Sequence, residues 1–386
     1  MIPYGRQDIN EADLEAVRQV LLSDFLTQGP QVPAFEAAVR NYCSAQYAFA
    51  MNSATSALHV ACMAMGLKEG GLLWTSPVSF VASSNCALYC GAEVDFVDVD
   101  AATYNMSADA LRQKLEAAKV SGKLPDIVVP VHLCGQSCDM KTIHALSRQY
   151  GFRVIEDASH AIGAKYLEKP VGSCEYSDIT IFSFHPVKIV TSAEGGMLMT
   201  NDAKIAERVE LLRSHGITRN PELMQSESEG PWYYEQIDLG YNYRMTELQG
   251  ALGLSQMSRL DAFVARRHDI KRTYDAALAA LPVQIPYQDP DAHSSLHLYV
   301  VRLDLARCKH SHRETFESLR KKGIGVNLHY MPIYRQPYYK QFGFSQDAFP
   351  NAEQYYKEAI SLPMFPTLTA ADQQAVIDAL AEVTTR

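Results

Sequence analysis

Between about residues 45 and 200, short apolar runs alternate with stretches whose apolar residues return every three or four positions. The runs AFAM (48–51), LLWTS (72–76), EVDFVDV (93–99), DIVVPVH (126–132), RVIEDA (153–158), DITIFSF (178–184) and GMLMT (196–200) read as strands. Between them, TSALHVACMAMGL, FVASSNCALYCG and MKTIHALSRQYG carry helical spacing. Strands alternating with helices predict a largely parallel sheet wrapped by helices. The loop joining the last two strands is too short for a crossover helix, so these two are expected to be antiparallel neighbours. Beyond a polar, weakly patterned stretch at 216–236, one long amphipathic helix is expected from Thr246 to Leu281, stopped by Pro282. A smaller α+β segment follows, from HLYVVRLDL to ALAEV. The expected division is 1–260, an N-terminal arm with a large α/β domain, and 261–386, a small C-terminal α+β domain.

At 386 residues, 47% hydrophobic and 20% charged, the chain has apolar surface for two cores. The net charge of −9 and the scatter of Lys and Arg exclude a nucleic-acid or anionic-membrane surface. Small molecules and other protein chains remain as partners. The opening MIPYGRQDINEADLEAVRQVL is polar and acidic, and no apolar run approaches the roughly 18 residues of a membrane span, so a cytoplasmic location is expected. The eight cysteines (43, 62, 86, 90, 134, 138, 174, 308) read as reduced thiols in a chain long enough not to need staples. Neither Cys86 with Cys90 nor Cys134 with Cys138 forms a CxxC knuckle, so no metal is expected.

Ligands of open α/β sheets bind at the carboxyl ends of parallel strands, and four features fall there. Asn52 to Ser56 lie between a strand and an apolar helix, as a phosphate seat would, or as plain N-capping residues. Asp157 closes a strand made for burial, where a carboxylate needs a cationic or donating partner; capping of the next turn is the other reading. Lys188 follows a strand rich in Ile and Phe in a Pro-bearing loop, and partial desolvation would free its amine as a nucleophile toward an aldehyde. Phe80 could lie flat on a planar ligand or pack in the core. Together, the four features match pyridoxal 5'-phosphate, a phosphorylated aromatic aldehyde whose ring nitrogen wants a counter-charge.

Longer motifs extend the match: LTQGPQVPAFE (26–36), NSATSAL (52–58), SPVSFVASSN (76–85), EDASHAIGA (156–164), SFHPVK with TSAEGGM (183–197), LGYNYRMTELQGALG (239–253), HYMPIYRQPYY (329–339) and SLPMFPTLT (361–369). Through them the chain resembles, over nearly its full length, the pyridoxal-phosphate-dependent sugar aminotransferases of the DegT/DnrJ/EryC1/StrS family. The resemblance implies the fold-type I aminotransferase architecture: a large α/β domain with a seven-stranded, mostly parallel sheet, and a smaller C-terminal α+β domain. It makes Lys188 the residue that joins the cofactor covalently and Asp157 the partner of the ring nitrogen. Ala54, Thr55 and Ser183 resemble the contacts on the phosphate side, and Phe80 the aromatic residue stacked on the ring. His160 stands where many members have Gln and is expected to touch the cofactor. Asn242 matches a residue sent into the neighbouring subunit's site, which implies a homodimer with shared active sites.

Within the family, the motifs look most like the C4 aminotransferases of pseudaminic acid biosynthesis; perosamine- and bacillosamine-type C4 or C3 enzymes are the alternative. The resemblance then implies a UDP-linked 4-keto-6-deoxy-N-acetylhexosamine as acceptor, L-glutamate as donor and a ping-pong transamination. Tyr4, the segment Asp24, Phe25, Leu26 and Thr27, and His329 look like substrate contacts. Arg213, His215 and Arg219 are candidates for the UDP phosphates, or solvated surface. Three other readings compete. A dehydratase of this fold would have His at position 188, and a desulfurase would need a reactive cysteine on a mobile loop. A passive cofactor binder would have no use for an amine nucleophile.

Overall fold

The computed structural model describes residues 1–385. Among the described residues, seven strands form one sheet in the spatial order Tyr47–Met51, Gly196–Thr200, Ile179–Ser183, Arg153–Asp157, Ile127–Val129, Leu72–Thr75, Glu93–Phe96. Each was expected from its apolar run. Pairing is parallel except around Gly196–Thr200, which runs antiparallel to both neighbours, as the short connecting loop required. Strands Ile179–Ser183 and Gly196–Thr200 are buried at every position, because helices cover both faces of the sheet. Ser183 pairs with Gly196, and Gly196 with Met51, so three strand ends meet in one row.

A second, three-stranded antiparallel sheet joins Val283–Gln284, Tyr299–Leu303 and Ala359–Leu362. It shares an apolar core with helices Leu260–Leu278, His312–Lys321 and Ala370–Thr384, through residues such as Ile270, Tyr274, Val301, Leu319 and Leu380. The first residues of the chain are threaded onto this unit. Ile2 N donates to Gly323 O at 2.8 Å, Gly325 N to Ile2 O at 2.7 Å, and Met364 N to Tyr4 O at 3.0 Å.

The helix expected over 246–281 is two helices, Glu247–Met257 and Leu260–Leu278. Apolar periodicity runs through the join, so only tertiary contacts reveal the break. Arg259, at φ −111° and ψ 3°, leaves the helical path with its guanidinium on Asp13 and Asp8 of the N-terminal segment, at 2.5 and 3.3 Å. The first of the two helices also serves another element. Helix Gln31–Cys43 follows Pro30 and has no side-chain cap of its own. The buried Glu247 carboxylate instead accepts from Gln31 N at 2.6 Å and Val32 N at 3.3 Å, satisfying two orphan donors at the positive end of the helix.

Arg267 ties the second helix to the chain beside the sheet ends. Its Nη1 donates to the carbonyls of Leu296, His297 and Met364 at 3.0–3.1 Å, and burial pulls its pKa down to about 10. Arg267→Met keeps the aliphatic stem but strands three carbonyls, and is expected to cost about 3 kcal/mol in urea unfolding. A loss below about 1 kcal/mol would mean that water replaces the guanidinium.

Candidate active site

The carboxyl ends of Tyr47–Met51, Arg153–Asp157 and Ile179–Ser183 open into a cavity of about 490 Å³. Residues 327–330 and Tyr4 close its opposite side. Asp157, the last residue of its strand, is 5% exposed. Ser83 Oγ donates to Asp157 Oδ2 at 2.6 Å and Ser159 N to Oδ1 at 3.2 Å, while Ser79 Oγ lies 2.6 Å from Ser83 Oγ. A carboxylate held in this way is placed where it could face a protonated ring nitrogen.

Lys188 sits in the turn after strand Ile179–Ser183, its N–H bonded to His185 O at 2.9 Å. Desolvation lowers the amine to about 8, with the Asp157 carboxylate pulling the other way. Among the described residues, no carboxylate approaches Lys188 Nζ within 4.0 Å, so the amine is not tied up in an ion pair. Removing an amine from water without a direct counter-charge is what turns a lysine into a nucleophile near neutral pH.

Helix Ala54–Ala64 points its N-terminus at the same cavity. Ser53 caps it through its extended backbone, its side chain accepting from Ser56 N at 3.1 Å, while Ala54 and Thr55 line the cavity. Gly196 allows this arrangement. A Cβ there would lie 2.5 Å from Ala54 N and from the Ser53 carbonyl, so only glycine lets the reversed strand pass beneath the helix start. First-turn N–H groups so placed suit a phosphate.

Three histidines form the far wall. Burial and the nearby Lys188 hold His160 and His297 well below the ordinary histidine range and bring His329 down to about 3, so all three are neutral at physiological pH. His329 Nδ1 lies 2.8 Å from Ser361 Oγ, and its ring lies 5.0 Å from that of Tyr4. Phe80 is 60% exposed at the cavity edge, free of the core packing that would otherwise account for it.

Of the residues singled out from sequence, the cavity brings together Tyr4, Ala54, Thr55, Phe80, Asp157, His160, Ser183, Lys188 and His329. Asp24, Phe25, Leu26, Thr27 and Asn242 lie outside the cavity of their own chain and are exposed. Leu26 O accepts from Glu247 N at 3.1 Å and Thr27 pairs with Thr246, which pins that segment to the start of helix Glu247–Met257. Arg213 is not free for a phosphate: its guanidinium holds Glu36 at 2.5 Å, Glu210 at 2.9 Å and Ala50 O at 3.1 Å. His215 and Arg219 are exposed and also outside the cavity, with Arg219 lying over the Tyr234 ring. Sequence reasoning passed over Ser83, His297 and Tyr330. Tyr330 stood inside a quoted motif, but nothing in the local pattern marked it.

The depressed amine can be tested without any ligand. Acylation of Lys188 by an amine-selective reagent, followed by peptide mass spectrometry, is expected to be half-maximal near pH 8. Asp157→Asn removes the charge that raises this value, so the midpoint moves lower; an unchanged midpoint would sever the coupling.

Comparison with known proteins bears on the same residues. Residues 7–381 match the model of the DegT/DnrJ/EryC1/StrS aminotransferase family. The chain is 37% identical over 385 residues to the spore coat polysaccharide biosynthesis protein SpsC of Bacillus subtilis, covering 99% of this chain and 97% of that one. It is also 37% identical over 383 residues to the UDP-4-amino-4,6-dideoxy-N-acetyl-beta-L-altrosamine transaminase of Campylobacter jejuni, covering 98% and 96%. Among solved structures, PseC of Helicobacter pylori, an aminotransferase of pseudaminic acid biosynthesis, superposes with a TM-score of 0.89 at 30% identity, over 99% of this chain and 98% of that one. Aminotransferases of this family use pyridoxal 5'-phosphate. The residues here fit it: a helix start cleared by Gly196 for the phosphate, Asp157 for the ring nitrogen, and an unpaired amine for the aldehyde carbon. The chain belongs to the DegT/DnrJ/EryC1/StrS aminotransferase family and is a pyridoxal-phosphate-dependent sugar aminotransferase.

Proposed function

We propose that the enzyme moves the amino group of L-glutamate to C4 of a UDP-linked 4-keto-6-deoxy-N-acetylhexosamine. The observation that carries this reading is the Lys188 amine, lowered to about 8 in a cavity that also holds Asp157, Tyr4 and His329. Likeness to the Campylobacter transaminase and to PseC supports this sugar over other acceptors. A cytoplasmic location goes with a nucleotide-sugar substrate. It also agrees with the lack, among the described residues, of any helix long and apolar enough to cross a membrane.

Bound pyridoxal phosphate supplies an aldehyde carbon to attack and a ring that accepts electrons. Lys188 Nζ would hold the aldehyde carbon covalently and, once free, would carry a proton off Cα of glutamate. Asp157 holds the proton on the ring nitrogen, supported by Ser83 and Ser159 N. Ala54, Thr55 and Ser183 would hold the phosphate, and Phe80 would lie against the ring. His160, neutral through burial, would stand beside the ring. Neutral His329, fixed on Ser361, and Tyr4 contact the sugar. Glutamate would leave as 2-oxoglutarate with its keto oxygen taken from water, and the ketone carbon of the sugar, reprotonated by Lys188 on the return half, would gain the nitrogen as its oxygen leaves as water.

The reading includes a homodimer. Asn242 and the segment Asp24, Phe25, Leu26 and Thr27 are exposed in their own chain, with Phe25 and Leu26 more than half exposed, as residues facing a partner's cavity would be.

Lys188→Ala is expected to abolish both glutamate turnover and the visible absorption of the holoenzyme. Given a panel of UDP- and dTDP-linked ketosugars with glutamate, the wild type should aminate the UDP-4-ketosugar, with the new C4–N bond visible by NMR. Amination at C3, or preference for a dTDP sugar, would replace this acceptor with another. Shared sites predict complementation: mixing Lys188→Ala with Asn242→Ala subunits leaves half the dimers with one intact site, so about a quarter of wild-type activity returns. Recovery below about 5% would mean that Asn242 serves its own chain.

A further inference from the structure

Three of the eight cysteines stand together, and none of them lines the cavity. Cys62 lies in helix Ala54–Ala64, Cys86 in helix Ala82–Tyr89, and Cys90 caps the end of the latter. The two helices pack against each other over one apolar cluster, in which Cys62 and Cys86 are wholly buried while Cys90 is partly exposed. The Cys62 side chain hydrogen-bonds with both Cys86 and Cys90, and Cys90 also with His59, three residues before Cys62 on the same helix. His59 is held in its turn, with Nδ1 3.1 Å from Tyr243 Oη and its ring 5.4 Å from that of Tyr89. Cys86 Sγ donates to Ser83 O in its own helix at 3.4 Å, which leaves Cys62 as the thiol that meets Cys90.

The two members of this pair are unequal. Cys62, and then His59, lower the Cys90 thiol below its ordinary range against the opposing effect of burial, whereas Cys86, Cys90 and burial all raise Cys62. Burial likewise raises Cys43, Cys134 and Cys174. The proton between the pair thus rests on Cys62, and the sulfur that an outside molecule reaches first is the thiolate. We propose that Cys90 is a site of oxidation by peroxides and that Cys62 converts the oxidised form into a disulfide joining the two helices. The Cys90 sulfur attacks one oxygen of hydrogen peroxide, the O–O bond breaks and hydroxide leaves, giving a sulfenic acid. The Cys62 sulfur then displaces the hydroxyl from Cys90, which departs with the Cys62 proton as water. One peroxide is reduced to hydroxide and water, and the two sulfurs supply both electrons. Hydrogen peroxide is little larger than water, so the part-open side of Cys90 admits it. The same helices begin at the cavity, one with Ala54 and Thr55 and the other with Ser83 on Asp157, so the bond would fix their far ends to each other.

The test uses the wild-type holoenzyme and hydrogen peroxide. After brief treatment, alkylation of the remaining thiols and peptide mass spectrometry should find the Cys62 and Cys90 peptides joined, and dithiothreitol should part them. In untreated enzyme, a thiol-alkylating reagent should modify Cys90 about tenfold faster than Cys134, the other cysteine that is not fully buried. Cys62→Ser should leave Cys90 as a sulfenic acid that dimedone captures, whereas Cys86→Ser should leave the Cys62–Cys90 link intact. A Cys86–Cys90 link, a bond between the Cys90 residues of two subunits, an oxidised Cys90 with no link in the wild type, or a Cys90 alkylated no faster than Cys134 would each overturn the proposal. None of these readouts depends on turnover, so the sugar and donor assignments can fail while this one stands.

Discussion

The site depends on a desolvated amine and a carboxylate held near each other but apart. Asp157 and Lys188 sit at the ends of two adjacent strands, Arg153–Asp157 and Ile179–Ser183, paired Ile155 to Ile179 and Asp157 to Ile181. Had they met as a close ion pair, each would have neutralised the other, and the amine would have kept its proton. Ser83 Oγ and Ser159 N donate to the carboxylate instead. Burial then lowers the amine more than the carboxylate raises it. The same cavity thus holds a hydrogen-bonded carboxylate and an amine of lowered pKa.

Strand pairing sets that separation, and glycine and neutral histidines complete the cavity. Gly196 lets the reversed strand pass under the helix start, whose Ala54 and Thr55 line the same cavity as the two ionisable residues. His160, His297 and His329 fill the remaining wall without adding charge, since burial and Lys188 both disfavour their protonation. A cationic wall would compete with Lys188 for the proton it must move. Arg267 reaches the carbonyls on either side of this wall from a helix on the other unit.

Much of this was legible in the sequence, for local reasons. Each of the seven strands of the large sheet announced itself as an apolar run, and Asp157 and Lys188 stood out because polar residues at the ends of such runs conflict with their surroundings. The break at Arg259 was not legible, since apolar periodicity continues across it and the cause lies in Asp8 and Asp13, about 250 positions earlier. Ser83 meets Asp157 across 74 positions and Tyr330 meets His160 across 170, separations at which no spacing rule operates. Arg213 looked free as a basic residue near a candidate site, yet it braces the edge strand through Glu36 and Ala50. Such contacts come from topology, which a local pattern does not encode.

The threading of the first residues onto the last-made part of the chain bears on how the enzyme matures. Tyr4 reaches the cavity because Ile2 pairs with Gly323 and Gly325, and because its own carbonyl accepts from Met364. On the ribosome those partners emerge long after Ile2 and Tyr4 themselves. The nascent large sheet would therefore hold its amine and carboxylate open to water, and the cavity would reach its final dielectric only when the newborn tail captures the oldest residues.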